Sequence, residues 1–98
     1  MALQVVISDR AEKNLDKIVS YLEHKFSKRV KQNFLTKLSK TIKLLTNNPQ
    51  MYPASKEKKN IRKCVVTKYT TLFYKVNETA IEIITIQDSR QNPVLLNL

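Results

Sequence analysis

The chain has 98 residues, with 18 Lys and Arg against 8 Asp and Glu, a formal charge of +10, no Gly, no Trp, one Cys and one His. At this length there is room for one domain with one small core, burying roughly two thirds of the unfolded surface. Cys64 cannot form an internal disulfide, one Cys and one His do not make a zinc site of the usual kind, and the lack of glycine argues against phosphate-cradling loops and dinucleotide fingerprints.

ATP, GTP and NAD enzymes are therefore not expected, and no cofactor or metal is implied. The 42% of hydrophobic residues recur periodically, so the chain should fold despite its charge. Residues 1–7 lack the basic start and longer apolar stretch of a signal peptide, and no apolar run approaches the roughly 20 residues that span a bilayer. The expectation is one domain over residues 1–98, in a reducing, cytoplasmic compartment, with no membrane association.

The charge is uneven. Residues 1–26 balance four basic residues with four acidic ones, whereas residues 27–60 carry Lys28, Arg29, Lys31, Lys37, Lys40, Lys43, Lys56, Lys58 and Lys59 against Glu57 alone, a net of +8. Such a segment favours encounter with a polyanion or an acidic protein, although lysines on a helix also serve simply to solvate it.

Leu3, Val5 and Ile7 alternate with Gln4 and Val6, predicting a short first strand with one buried face. Ser8 or Asp9 can cap the next element, with Glu12 completing a capping-box variant. Ala11, Leu15, Ile18, Val19, Leu22 and Phe26 then recur at spacings of three and four, the stripe of an amphipathic helix over about 10–26. Ser27 is a plausible cap for a second helix, striped by Val30, Phe34, Leu38, Ile42 and Leu45. Asn47-Asn48-Pro49 ends it, Asn being tolerant of the left-handed cap that Gly would otherwise supply. Two such helices with almost no linker form an antiparallel hairpin.

Residues 49–60 read as a surface loop, with Met51 and Tyr52 placed to anchor it. Ile61–Val66 and Tyr69–Val76 are rich in strand formers and separated by Thr67-Lys68, which predicts an antiparallel hairpin. Asn77-Glu78-Thr79 leads into a last strand from Ala80 to Ile86. Strict alternation there puts Ile81, Ile83 and Thr85 on one face and Glu82, Ile84 and Ile86 on the other, as in a central strand covered on both sides. An apolar tail, Val94-Leu95-Leu96, follows Asn92-Pro93. The fold class is α+β, ordered β-α-α-β-β-β, with a small antiparallel sheet packed on an N-terminal helical hairpin.

In this order, SDRAEKNLDKIVSYL on the first helix, LLTNNPQMYP at the end of the second, IRKCVV and KYTTLFYKV in the hairpin, and AIEIITIQDSRQNP at the exit resemble the RelE/ParE superfamily. These are the toxins of type II toxin–antitoxin pairs, also described as plasmid stabilisation proteins. The resemblance covers almost the whole chain. It implies a growth-inhibiting toxin neutralised by a cognate acidic antitoxin, whose amphipathic helix lies in a groove beside the helical hairpin, with a strand added to a sheet edge as a further mode. It leaves a homodimer open. ParE-like members inhibit DNA gyrase, and RelE-like members cleave mRNA on the ribosome.

RNA cleavage through the 2′-hydroxyl needs a proton acceptor, a stabiliser for the pentavalent phosphate and a proton donor for the leaving oxygen. The charge stabilisers would be Arg62, Lys68 and Arg90, expected with Lys63 to converge on one end of the sheet. Arg90 matches the family's arginine. Proton-transfer groups are scarcer. His24 lies off the apolar stripe of the first helix, and Tyr69 and Tyr74 have comparable claims to the core. Asp88 stands where many members of the resembled superfamily have His, and an ordinary aspartate, with a pKa near ~3.9, is a poor general base at neutrality and repels a phosphate. The tail after Pro93 also has no Tyr.

The resemblance is therefore nearer to ParE than to RelE, with no confident catalytic set. Lys56, Lys58, Lys59, Arg62, Lys63 and Arg90 are the candidates for binding the target or antitoxin. The alternatives are the endoribonuclease, a non-toxic basic nucleic-acid-binding module and a decayed toxin. Asp9, Glu12, Asp16 and Glu23 read as a solvated helix face, and Cys64 as a small buried residue.

Overall fold

The computed structural model describes residues 3–54 and 60–90. Elements run β1 (Gln4–Ile7), α1 (Asp9–Lys25), α2 (Lys28–Asn47), β2 (Ile61–Val65), β3 (Thr70–Val76) and β4 (Ala80–Asp88), the expected α+β order. The sheet order is β1-β4-β3-β2. The last three strands form an antiparallel meander, while β1 pairs parallel with β4, Gln4 opposite Ala80 and Ile7 opposite Ile83, so the sheet is mixed.

Both helices begin as their sequences dictate. The Ser8 hydroxyl accepts from the Ala11 N–H at 3.0 Å, and the Ser27 hydroxyl accepts from the Val30 N–H at 3.1 Å, each satisfying an amide that has no partner inside its helix. Asp9 and Glu12 occupy the first turn of α1, and His24 and Lys25 its last, matching the macrodipole. Ala11, Ile18 and Leu22 of α1 and Phe34, Leu38 and Leu45 of α2 are buried against Cys64, Leu72, Tyr74, Ile81, Ile83 and Ile86 of the sheet. Each fully buried Leu contributes about 1.5–3 kcal/mol relative to exposure.

The end of α2 is built differently from the expected left-handed cap. Asn48 has φ −138°, and the Asn47 and Asn48 side-chain amides instead donate to the carbonyls of Lys43 (3.0 Å) and Leu44 (3.2 Å). Both residues therefore act through their side chains, adding donors to carbonyls of the last turns, Leu44 also accepting from the Asn48 N–H (3.0 Å) and Lys43 from the Thr46 hydroxyl (2.7 Å). Among the described residues the left-handed conformation falls on Asn60, φ 70°, at the entry to β2.

Three further expectations need correction. The β2–β3 connection is Val66–Tyr69 rather than two residues; Val66 N–H donates to the Thr70 carbonyl at 2.9 Å, and the Thr67 hydroxyl accepts from the amides of Tyr69 and Thr70. On β4, Phe73 pairs with Thr85 but Tyr74 pairs with Ile83, so Ile84 is an extra, bulged residue. The bulge shifts the alternation, and Ile86 joins Ile81 and Ile83 in the core. Finally, β1 has no buried face: all of Gln4–Ile7 is exposed, and among the described residues the strand pairs on one side only, with β4.

Beyond Ile83, where β1 ends, α1 takes over the edge of β4. The Ser8 hydroxyl donates to the Ile84 carbonyl at 2.7 Å, and the Asn14 side-chain oxygen accepts from the Ile86 N–H (3.3 Å) and the Thr85 hydroxyl (2.7 Å). Side chains of one helix thus satisfy backbone groups that no strand reaches.

Candidate functional site at the hairpin turn

Antiparallel pairing sets Thr70 opposite Asp88 at the end of β3 and β4 where the Val66–Tyr69 turn lies. The Asp88 side chain is 0% exposed. Its Oδ2 accepts from the Thr70 hydroxyl at 2.8 Å and from Arg90 Nη2 at 2.7 Å, and its Oδ1 accepts from Arg90 Nε at 3.0 Å and the Arg90 N–H at 2.9 Å. A bidentate fork of this kind is among the stronger pairings available to a carboxylate. Burial by itself would raise the Asp88 pKa, but the hydrogen bonds from Arg90 and Thr70 and the arginine charge outweigh it and hold the carboxyl below its ordinary range. Arg90 is raised in turn, chiefly by its hydrogen bond to Asp88.

Aromatic rings surround this pair. The Arg90 guanidinium lies 4.3 Å from the Tyr69 ring centroid and 5.7 Å from that of Phe26, while Lys68 Nζ lies 5.1 Å from Tyr69. Tyr21 meets Phe26 edge-on at 6.1 Å, and its hydroxyl donates to the Arg90 carbonyl. Phe26 is 51% exposed and Tyr69 38%. Beside them a cavity of ≈ 180 Å³ has an apolar floor of Leu22, Val30 and Phe34 and is bordered by Lys37, Tyr69 and Arg90. This end of the molecule therefore presents aromatic surface interleaved with positive charge. It is suited to binding an acidic or polyanionic partner, and it holds its arginine already paired.

The sequence candidates separate into groups. Lys68 and Arg90 come together around Tyr69. Arg62 lies opposite Tyr74, four residues along β3 from Thr70, or about 13 Å at ~3.3 Å per residue. Its Nη1 donates to the Tyr52 carbonyl, and Ala54 forms a bridge with Arg62, so Arg62 ties the segment after α2 onto the edge of β2. Lys63 is exposed opposite Phe73. The register thus keeps Arg62 and Lys63 apart from Lys68 and Arg90. Lys56, Lys58 and Lys59 lie outside the described residues, as does the apolar tail.

Neither Tyr74 nor Cys64 offers reactive chemistry. Tyr74 is buried, its hydroxyl donates to the Pro49 carbonyl at 3.1 Å, and burial raises its pKa. Cys64 is a buried free thiol raised by burial, against a smaller lowering from its hydrogen bond with Tyr52. Tyr52 is half-buried against the core as expected, while Met51 is exposed. His24 is exposed on the last turn of α1. Sequence reasoning missed Phe26 and Thr70 as parts of the site, and weighed Tyr69 only as a proton-transfer group with an equal claim to the core. The Asp88-x-Arg90 spacing was the available signal, since an aspartate at the end of a strand can accept from the amide two residues on, as Asp88 does from Arg90, and so hold that residue beside it.

The mixed four-stranded sheet backed by a helical hairpin is the fold of toxins in type II toxin–antitoxin systems. The chain belongs to the family described as the ParE toxin of the type II toxin-antitoxin system parDE, whose model matches residues 5–93. Its fold is similar to a chromosomal ParDE toxin–antitoxin system chain from P. aeruginosa, with TM-score 0.74 and 15% identity over 89% of this chain and 96% of that one. It is also similar to a chain of the E. coli DinJ–YafQ toxin–antitoxin complex, with TM-score 0.62 and 16% identity over 92% and 96%. A YoeB dimer from Staphylococcus aureus gives TM-score 0.60 and 14% identity over 89% and 97%. No curated protein matches the sequence.

Proposed function

We propose that this member of the ParE toxin family arrests growth by binding a nucleic-acid-processing target, DNA gyrase being the leading candidate, rather than by cleaving RNA, and that it acts in the cytoplasm. The observation that carries this reading is the closed pair between Asp88 and Arg90. The arginine that would hold a phosphate is already neutralised, and the carboxylate at the position where the superfamily often has His is buried, doubly engaged and kept ionised. A group in that state does not take up a 2′-hydroxyl proton near neutrality. Binding uses the surface as it stands: Lys68 and the exposed rings of Tyr69 and Phe26, held in place by the paired Arg90, with the basic residues between α2 and β2 adding electrostatic attraction. An acidic antitoxin neutralises the toxin by covering that charge.

Purified toxin added to a gyrase supercoiling assay should inhibit the reaction, with inhibition relieved by the antitoxin. Discrete mRNA cuts in primer extension after induced expression, without any effect on supercoiling, would overturn the proposal in favour of the ribonuclease reading through Arg62, Lys68 and Arg90. Steep salt-dependent binding to nucleic acid without growth arrest would instead indicate a non-toxic binding module.

A further inference from the structure

The edge of β1 carries a second surface, unrelated to the hairpin turn. Val5, Val6 and Ile7 are 36%, 48% and 43% exposed, and the strand has no charged residue, proline or bulge, the devices by which proteins usually blunt a free sheet edge. The opposite edge, β2, is protected by comparison: Arg62 and Lys63 lie on it, and Ala54 bridges to it.

The parallel pairing with β4 determines which backbone groups of β1 are available. Gln4 N–H donates to Thr79 and Ser8 N–H to Ile83, so the even-numbered residues direct their amides toward β4. Those of Val5 and Ile7, together with their carbonyls, point away from the sheet. Leu3 is already engaged, its N–H donating to the Thr46 carbonyl at the end of α2 at 3.2 Å.

We propose that β1 pairs with β1 of a second copy of this chain, antiparallel about a two-fold axis at Val6, joining two sheets into one. Val5 then lies opposite Ile7 of the second copy and exchanges both main-chain hydrogen bonds with it, which engages the outward groups of both residues. Val6 faces its own counterpart at the axis, in the non-hydrogen-bonded position where side chains approach most closely. The edge is self-complementary, apolar residue against apolar residue. Charge also favours a second copy here: residues 1–8 bear no charged side chain and residues 1–26 sum to zero, whereas residues 27–60 carry +8, so two chains of +10 meet with least repulsion through β1. The contact is short, and the association is accordingly weak and concentration-dependent.

This inference is independent of the proposed target, since supercoiling and growth arrest are read separately from association. Sedimentation velocity of the purified full chain over a concentration series should show a monomer–dimer equilibrium. Val6→Lys, at an exposed position, places two like charges at the axis and should raise the dissociation constant about tenfold or more. Ile7→Pro removes an outward N–H without touching the ladder to β4 and should do the same. Val6→Cys should form a disulfide-linked dimer under mild oxidation, under conditions where Leu44→Cys, equally exposed on α2, stays largely monomeric. A chain that stays monomeric at its highest soluble concentration overturns the proposal, as does a dimer indifferent to Val6→Lys. A monomer in which Val6→Lys instead abolishes antitoxin capture assigns the edge to a partner's strand and also overturns it.

Discussion

Asp88 and Arg90, two residues apart, close on each other through both carboxylate oxygens, at 3.0 Å from Oδ1 to Nε and 2.7 Å from Oδ2 to Nη2. The carboxylate is fully enclosed while the arginine side chain retains 20% exposure under Tyr69. Removing the charge of Asp88 leaves Arg90 with a desolvated guanidinium and no counter-ion. Breaking a buried pair costs about 3–5 kcal/mol, and partial solvation of Arg90 reduces this, so Asp88→Asn should lose about 2–3 kcal/mol in urea unfolding. Arg90→Lys should also be destabilising, because an ammonium reproduces neither the fork nor the stacking.

The same pair gives stability an acid dependence of known sign. The folded-state pKa of Asp88 lies below its unfolded value, so its contribution is fully present above the unfolded pKa near ~3.9 and is lost as pH falls through the lower, folded value. The stability difference between the wild type and Asp88→Asn should therefore be constant above about pH 5 and shrink on further acidification. A difference that grew with acid would contradict the assignment.

The two helix caps should differ in weight. Ser27 caps α2 in an exposed setting, and Ser27→Ala should cost about 1 kcal/mol. The Ser8 hydroxyl both caps α1 and donates to the Ile84 carbonyl on β4. Ser8→Ala therefore also leaves a part-buried carbonyl without its donor, and should cost about 2 kcal/mol in the same denaturation measurement.

Cys64 should be inert in the folded protein. Its thiol is buried and raised by burial, so a thiol reagent at pH 8 should leave it unmodified and react fully once urea exposes it. Rapid modification of the native chain would show that β2 opens locally.

Much of this architecture was legible from residue spacing. The helices, the Ser27 cap of α2, the choice of Ser8 or Asp9 as the cap of α1, the hairpin and the order β-α-α-β-β-β follow from periodicity and capping chemistry, which are local. Tyr52 as an anchor and Cys64 as a buried residue were legible for the same reason. The charge, too, could be assigned to segments, which separates a neutral N-terminal third from the basic residues that follow. The functional surface was less legible. Lys68 and Arg90 could be nominated, but their meeting around Tyr69 depends on Thr70 lying opposite Asp88, a register between strands 18 residues apart.

Sequence by itself determined the elements, the family resemblance and where the positive charge lies along the chain, because each of these depends on residues close together in the polypeptide. Tertiary structure alone decided three things: that Ile84 bulges and turns Ile86 inward, that β1 is an exposed edge parallel to β4, and that Arg90 is paired with an enclosed Asp88. All three depend on which strand lies beside which and in what register. One extra residue in a strand reverses which side chains are buried, while the local pattern of residues stays the same.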